Sequence, residues 1–123
     1  MIVRNLEGAR VLVVEDDYFL ATDLQTALEA AGATVVGPFG DASEAERALL
    51  AARPDCAFVD VNLGHGPSFD LPRALAREDV PFAFVTGYDP GIIPDEFAGV
   101  TRFEKPMSAT KVVQAMAHML RGE

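Results

Sequence analysis

Cys56-Ala57-Phe58-Val59-Asp60-Val61-Asn62 is an apolar run broken by one carboxylate, and it reads as a buried strand that ends on an acid. It lacks the in/out alternation of a half-exposed strand, so both faces are expected to be covered, as in a parallel sheet. The pattern recurs on either side. Arg10 to Val14 is a β-branched run that leads into Glu15-Asp16-Asp17. Phe82 to Thr86 leads into Gly87, and Thr101 to Glu104 leads into Lys105-Pro106. A shorter run, Thr34 to Val36, is closed by Gly37-Pro38.

Helical segments lie between these runs. From Tyr18 to Ala31, Phe19, Leu20, Leu24, Ala27, Leu28 and Ala31 recur at helical spacing, with Asp17 as the cap and Gly32 as the residue past the end. Asp41 with Glu44 has the form of a capping box and opens a helix through Ala52, which Arg53-Pro54 ends. A short helix spans Phe69 to Arg77, with Pro72 in its first turn. Ser108 caps a last helix whose buried side is Val112, Val113, Ala115, Met116, Met119 and Leu120. Gly87 to Val100 breaks the rhythm: Asp89-Pro90-Gly91 and Pro94 restrict a fourth helix there to one short distorted turn or a loop.

Strands alternating with helices define an α/β class, a doubly wound parallel sheet covered on both faces. Function in such sheets sits beyond the carboxyl ends of the strands, where strand order reverses. Glu15 and Asp16, Asp60, Thr86 and Lys105 all stand at those ends. A single strand-end Asp is an ordinary helix cap or turn residue, and a single lysine an ordinary surface charge. Three acids at one edge are destabilising unless a cation bridges them, and oxygen ligands suit Mg²⁺. A lysine at the same edge can neutralise a carboxylate and hold a phosphoryl oxygen as a point charge. The thread is equipment for handling a phosphoryl group.

Composition narrows the classes. The 123 residues carry 10 basic and 19 acidic side chains, a net charge of −9, which repels nucleic acid phosphates and argues against direct nucleic acid binding. No apolar stretch is long enough for membrane insertion, and nothing at the start reads as a signal peptide. The single cysteine, Cys56, rules out an intrachain disulfide and fits a reducing, cytoplasmic location. Residues 1–123 read as one domain with no output domain. Cys56 reads as a small buried hydrophobe, His65 as a solvated side chain, and His118 as a complement to the last helix's dipole.

Val-Val-Glu-Asp-Asp, Phe-Val-Asp-Val-Asn-Leu, Phe-Val-Thr-Gly-Tyr and Phe-Glu-Lys-Pro together resemble the receiver domain of two-component response regulators, in order and spacing, over nearly the whole chain. Phe84-Val85-Thr86-Gly87-Tyr88 is similar to the Phe-Ala-Thr-Gly-Tyr signature of a single-domain subgroup, departing at Val85. The resemblance implies a flavodoxin-like five-stranded sheet in order 2-1-3-4-5. It implies Asp60 as phosphoacceptor from a sensor histidine kinase or a histidine phosphotransfer protein. Mg²⁺ would be held by Asp16, Asp60 and the backbone carbonyl of Asn62, with Glu15 acting mostly through water. Lys105 would hold the phosphoryl oxygen, Thr86 would move to bond it, and Asn62, Gly87 and Tyr88 would flank the approach that sets the lifetime. The implied role is a signalling switch that catalyses only its own phosphorylation and dephosphorylation and passes its state to an effector protein that the residues do not identify.

Two positions depart from the family pattern. Arg102 stands three residues before the lysine, where an aromatic is common, and Gly64 stands where many members have proline. Thr86, Tyr88 and Arg102 are therefore the switch candidates, with the Gly87 to Val100 segment carrying the response by ordering. Among rivals, a dinucleotide-binding domain is excluded because the first strand leads into Glu-Asp-Asp rather than a glycine-rich loop. A haloacid-dehalogenase-type phosphohydrolase would carry a second Asp where Asn62 stands, and a cap domain. A receiver-like docking module without phosphorylation is the remaining alternative.

Overall fold

The computed structural model describes residues 6–61, 69–87 and 93–120. Five strands, β1 (Arg10–Val14), β2 (Thr34–Phe39), β3 (Cys56–Asp60), β4 (Phe82–Thr86) and β5 (Thr101–Glu104), form one parallel sheet in the order β2-β1-β3-β4-β5. Four α-helices connect and cover them: α1 (Tyr18–Ala30), α2 (Ala42–Ala51), α3 (Asp70–Arg77) and α4 (Ala109–Leu120). The expected doubly wound order is the one observed.

Strand alternation divides the apolar residues between two cores. Val11 and Val13, Phe58 and Val85 face α1 and α4, where Leu24, Leu28, Val112 and Met116 meet them. Leu12 and Val14, Val59 and Phe84 face α2 and α3, where Leu49, Leu75 and Phe97 meet them. Both faces being covered explains why β1, β3 and β4 read as continuous apolar runs.

Register then aligns the strand ends. Val14 lies opposite Val59, so Glu15 and Asp60 emerge at one level. Asp60 lies opposite Val85, and Thr86 opposite Glu104, so Thr86 follows one step further along and Lys105 two. The chain's ionisable strand ends thus meet at a single edge.

Helix ends follow local chemistry. Asp17 Oδ1 accepts the amides of Phe19 and Leu20, and Asp41 Oδ1 accepts that of Ser43, satisfying amides that have no partner within their helices. The α1 helix closes in a Schellman arrangement: Ala33 N–H donates to Leu28 O and Gly32 N–H to Glu29 O, with Gly32 at φ +98°. Pro72 falls in the first turn of α3, as its missing N–H requires.

Three expectations need correction. The β2 strand does not stop before Gly37-Pro38 but runs through them to Phe39. One residue of β1 faces two of β2 between the Leu12–Val36 and Val14–Phe39 pairs, which is a bulge. Gly37 takes φ +105°, where an added Cβ would stand 2.9 Å from Val13 O, and the Gly37–Pro38 bond is cis. An edge strand tolerates the proline because its outward side has no ladder to complete. Phe19 does not share the buried face of α1, which is Ala21, Leu24 and Leu28; it is 77% exposed. Leu120, expected on the buried side of the last helix, is 37% exposed at its end. Of the segment expected to form one short distorted turn or a loop, residues 88–92 lie outside the described residues; among the described ones a 3-10 turn, Asp95–Phe97, follows Pro94. Phe97 pins that turn: it is buried, stacks on Phe69 and meets Phe84 edge-on.

Candidate functional site

Glu15, at the end of β1, is held on both sides. Its amide donates to Phe39 O at 2.8 Å, a contact delivered by the β2 bulge, and its side chain is fully buried. Oε2 accepts the Asp17 amide at 2.9 Å and lies 3.4 Å from Lys105 Nζ. Oε1 is buried with no hydrogen-bond partner and lies 3.4 Å from the same ammonium. Asp60, at the end of β3, is 4% exposed, and its Oδ2 accepts from Lys105 Nζ at 3.1 Å. Asp16 is exposed beside them, and carboxylate oxygens of Glu15, Asp16 and Asp60 lie within 4.8 Å of one another.

Lys105 reaches this cluster because its backbone continues the β4–β5 ladder: its amide donates to Thr86 O at 2.9 Å. The Lys105–Pro106 bond is cis. Thr86 is buried at the end of β4, and Gly87 beyond it is exposed, with open space where a Cβ would stand. Arg102 is exposed on β5, opposite Phe84, and lines a depression with Asp95, Phe97 and Val100, away from the acidic cluster. Asn62, Gly64, His65 and Tyr88 lie outside the described residues.

Electrostatics follow from burial. Removal from water is the main force on Glu15, raising its pKa to about 7; Asp60 adds to this, and the Asp17 amide and Lys105 oppose it only in part. Burial works against the Lys105 ammonium, yet Asp60 and Glu15 outweigh it and hold its pKa above the ordinary value. Burial, with Asp55 nearby, pushes the Cys56 thiol up to about 12, consistent with an inert core residue.

A carboxyl with a higher pKa folded than unfolded binds its proton more tightly when folded. Its contribution to stability is therefore full below the ordinary carboxylate value and is lost as pH rises through about 7. In chelator, the wild type should lose about 2–3 kcal/mol relative to Glu15→Gln between roughly pH 5 and 8. Urea unfolding of both proteins across that range measures the difference, and a gap that stays flat would show that Glu15 ionises without penalty.

The cluster fits a hard divalent cation on its own chemistry: three oxygen donors converge, and the buried Glu15 Oε1 is left without a hydrogen bond. Sequence reasoning missed the contribution of the β2–α2 connection. Phe39 orients Glu15 through its carbonyl, and Gly40 packs by Asp16, where an added Cβ would lie 3.7 Å from the Asp16 Cα. Gly40, with Tyr18, Thr22 and Pro38, borders an open cleft of about 330 Å³ beside Glu15 and Asp16. Gly37 and Gly40, which flank Pro38-Phe39, were the available signal, of which Gly37-Pro38 read only as the close of the strand.

The chain matches the response regulator receiver domain over residues 11–117, and it belongs to that family. It is 27% identical over 111 residues to the sensory transduction protein LytT of Bacillus cereus, covering 87% of this chain and 45% of LytT, so it spans less than half the length of that relative. The solution structure of SdrG from Sphingomonas melonis Fr1 superposes with a TM-score of 0.79 at 32% identity, covering 91% of this chain and 96% of that one. The BeF₃-activated conformation of SdrG, given as from Pseudomonas melonis Fr1, superposes at 0.76 and 30% identity over 98% and 99% of the two chains. Receiver domains are signalling modules of two-component systems and interact with histidine kinases and phosphotransfer proteins. Among the described residues no helix is long and apolar enough to cross a membrane.

Proposed function

We propose that this receiver is a switch phosphorylated on Asp60 by a phosphohistidine of a sensor kinase or phosphotransfer protein, in an Mg²⁺-dependent reaction. The observation that carries the reading is Lys105 Nζ lying 3.1 Å from Asp60 Oδ2 at the sheet edge where Glu15 and Asp16 converge. An Asp60 oxygen attacks phosphorus, the P–N bond to imidazole breaks, and an acyl phosphate forms; the imidazole leaves with its electron pair and takes a proton from solvent. Reset reverses the charge flow: water attacks phosphorus, the Asp60 carboxylate leaves, and inorganic phosphate departs after losing a proton to solvent.

Protein groups act here by position and charge rather than by covalent work. Lys105 balances charge on the transferring oxygens, and Thr86, one residue past the level of Asp60, is placed to bond one of them. Asp16 and Asp60 with the Asn62 carbonyl would hold Mg²⁺, Glu15 acting mostly through water. The metal, when bound, supplies further neutralisation of phosphoryl charge. Asn62, Gly87 and Tyr88 are assigned to the approach that sets the lifetime, and Thr86, Tyr88 and Arg102 to the response. The family likeness to SdrG, which has a BeF₃-activated conformation, supports a phosphoryl-responsive reading, since BeF₃⁻ on a carboxylate imitates an acyl phosphate.

Intact-protein mass after incubation with acetyl phosphate tests the proposal. A single phosphoryl adduct is expected with Mg²⁺, and none after chelation. An adduct of equal yield without the metal would remove Mg²⁺, and the metal-holding role of Glu15 and Asp16, from the chemistry.

A further inference from the structure

The bulge in β2 does more than admit Gly37 and Pro38. As far as the Leu12–Val36 pair the two strands advance together, and Val35 and Val36 alternate between the two cores. Continued alternation would turn Phe39 toward the α1/α4 core, with Val35. The extra residue reverses that parity, because a shift of one position carries a side chain to the opposite face. Phe39 instead packs with Val36 and Ala42 against the α2/α3 core. It pairs with Val14, and its carbonyl accepts the Glu15 amide at 2.8 Å. One inserted residue therefore anchors the ring and aims the carbonyl at the end of β1.

Gly37 makes the bulge possible. It stands at φ +105°, and an added Cβ would lie 2.8 Å from Phe39 N and 2.9 Å from Val13 O. Both are backbone atoms and cannot swing aside as a side chain would. They belong to the two segments that meet in the Glu15–Phe39 hydrogen bond, so a side chain at position 37 has to push β1 and β2 apart beside Glu15. Gly32 offers an internal comparison. Its φ is +98°, and its added Cβ would lie 2.8 Å from Glu7 Cα, but it precedes β2 at the other end of the strand.

We propose that Gly37 is a positioning residue for the divalent cation. Through Phe39 the bulge fixes the Glu15 backbone, and an edge strand that supplies no ligand thereby sets the Mg²⁺ affinity of the acidic cluster. The Glu15 carboxylate has little freedom of its own: Oε2 accepts the Asp17 amide, and Oε1 is buried without a hydrogen bond. A displaced backbone is therefore passed on to the oxygen donors rather than absorbed by a change of rotamer. Groups that orient metal ligands govern affinity by about 10- to 100-fold, and the lower figure applies here because Asp60 is carried separately on β3. The inference rests on the Mg²⁺ reading of that cluster.

Calorimetric titration with Mg²⁺ of the wild type, Gly37→Ala and Gly32→Ala, beside urea unfolding of all three in chelator, is the test. Both substitutions should lower stability, since alanine disfavours either φ. Only Gly37→Ala should weaken Mg²⁺ binding, by about tenfold, with Gly32→Ala within about twofold of the wild type. If Gly37→Ala fails to fold, the wild type carries the test alone. Coupling is reciprocal, so saturating Mg²⁺ should slow deuterium exchange at the Glu15 amide about tenfold more than at buried Met116 of α4. The proposal is overturned if Gly37→Ala binds Mg²⁺ as the wild type does, or if both glycine variants lose affinity equally. It is also overturned if Mg²⁺ protects the Glu15 amide no more than that of Met116. A wild type that takes up no Mg²⁺ overturns the reading of the cluster itself, and this proposal with it.

Discussion

Asp60→Asn will acquire no phosphoryl group from acetyl phosphate or from a phosphohistidine donor, at any Mg²⁺ concentration, while keeping its fold. The substitution preserves shape and removes the attacking oxygen's charge; an amide oxygen is a poor nucleophile and cannot form a stable acyl phosphate. The fold is expected to survive because the site already holds more negative charge than Lys105 offsets. Asn at this position lets the ammonium serve Glu15 alone and relieves the like-charge contact that helps raise the Glu15 pKa. Intact mass and peptide mapping are the measurements, with circular dichroism to show that the variant is folded. The informative contrary result is an adduct on Asp16, which is exposed and within the same cluster. That outcome would move the phosphoacceptor to β1 and leave Asp60 as a metal ligand. Lys105 argues against it, since its ammonium bonds Asp60 and not Asp16 among the described contacts.

Much of this site was readable because polarity changes abruptly at the strand ends. Val14 to Glu15 and Val59 to Asp60 are boundaries where a buried run meets a charge, and parallel pairing brings such boundaries to one edge whatever the loop lengths. Lys105, by contrast, follows a largely exposed strand and is marked by its place in the strand order. The elements that escaped are those whose local code conflicts with their setting. Gly37-Pro38 says "stop" by every local rule, but β2 is an edge strand and a bulge absorbs both residues. Phe19 fits the helical period, yet the first turn of α1 stands beside the acidic cleft rather than over the sheet, so nothing covers it. The Arg73–Glu96 pair joins residues 23 apart across two elements, and neither residue announces the other. Local pattern finds what a strand ends on; only packing decides what an exposed helix face meets.

Lys105→Met will slow adduct formation about a hundredfold and leave Mg²⁺ binding unimpaired. The methionine side chain approximates the lysine stem in length and lacks its charge, so the change is chiefly electrostatic. Two effects oppose each other in the metal-free protein. Loss of the ammonium removes the lesser of the two groups that draw the Glu15 pKa down, the Asp17 amide being the greater, so Glu15 protonates somewhat more readily. It also frees Asp60 Oδ2 from its 3.1 Å bond, so a divalent cation no longer competes with an internal one for that carboxylate. The two effects nearly cancel in the affinity for the metal. They do not cancel in the reaction, where charge builds on phosphoryl oxygens and the cation placed to meet it is gone. Calorimetric titration with Mg²⁺ and the time course of the mass adduct separate the two quantities. Should both fall together, Lys105 is a positioning residue for the acidic cluster; should neither fall, the ammonium is a counter-ion to Asp60 and the metal alone carries the electrostatics.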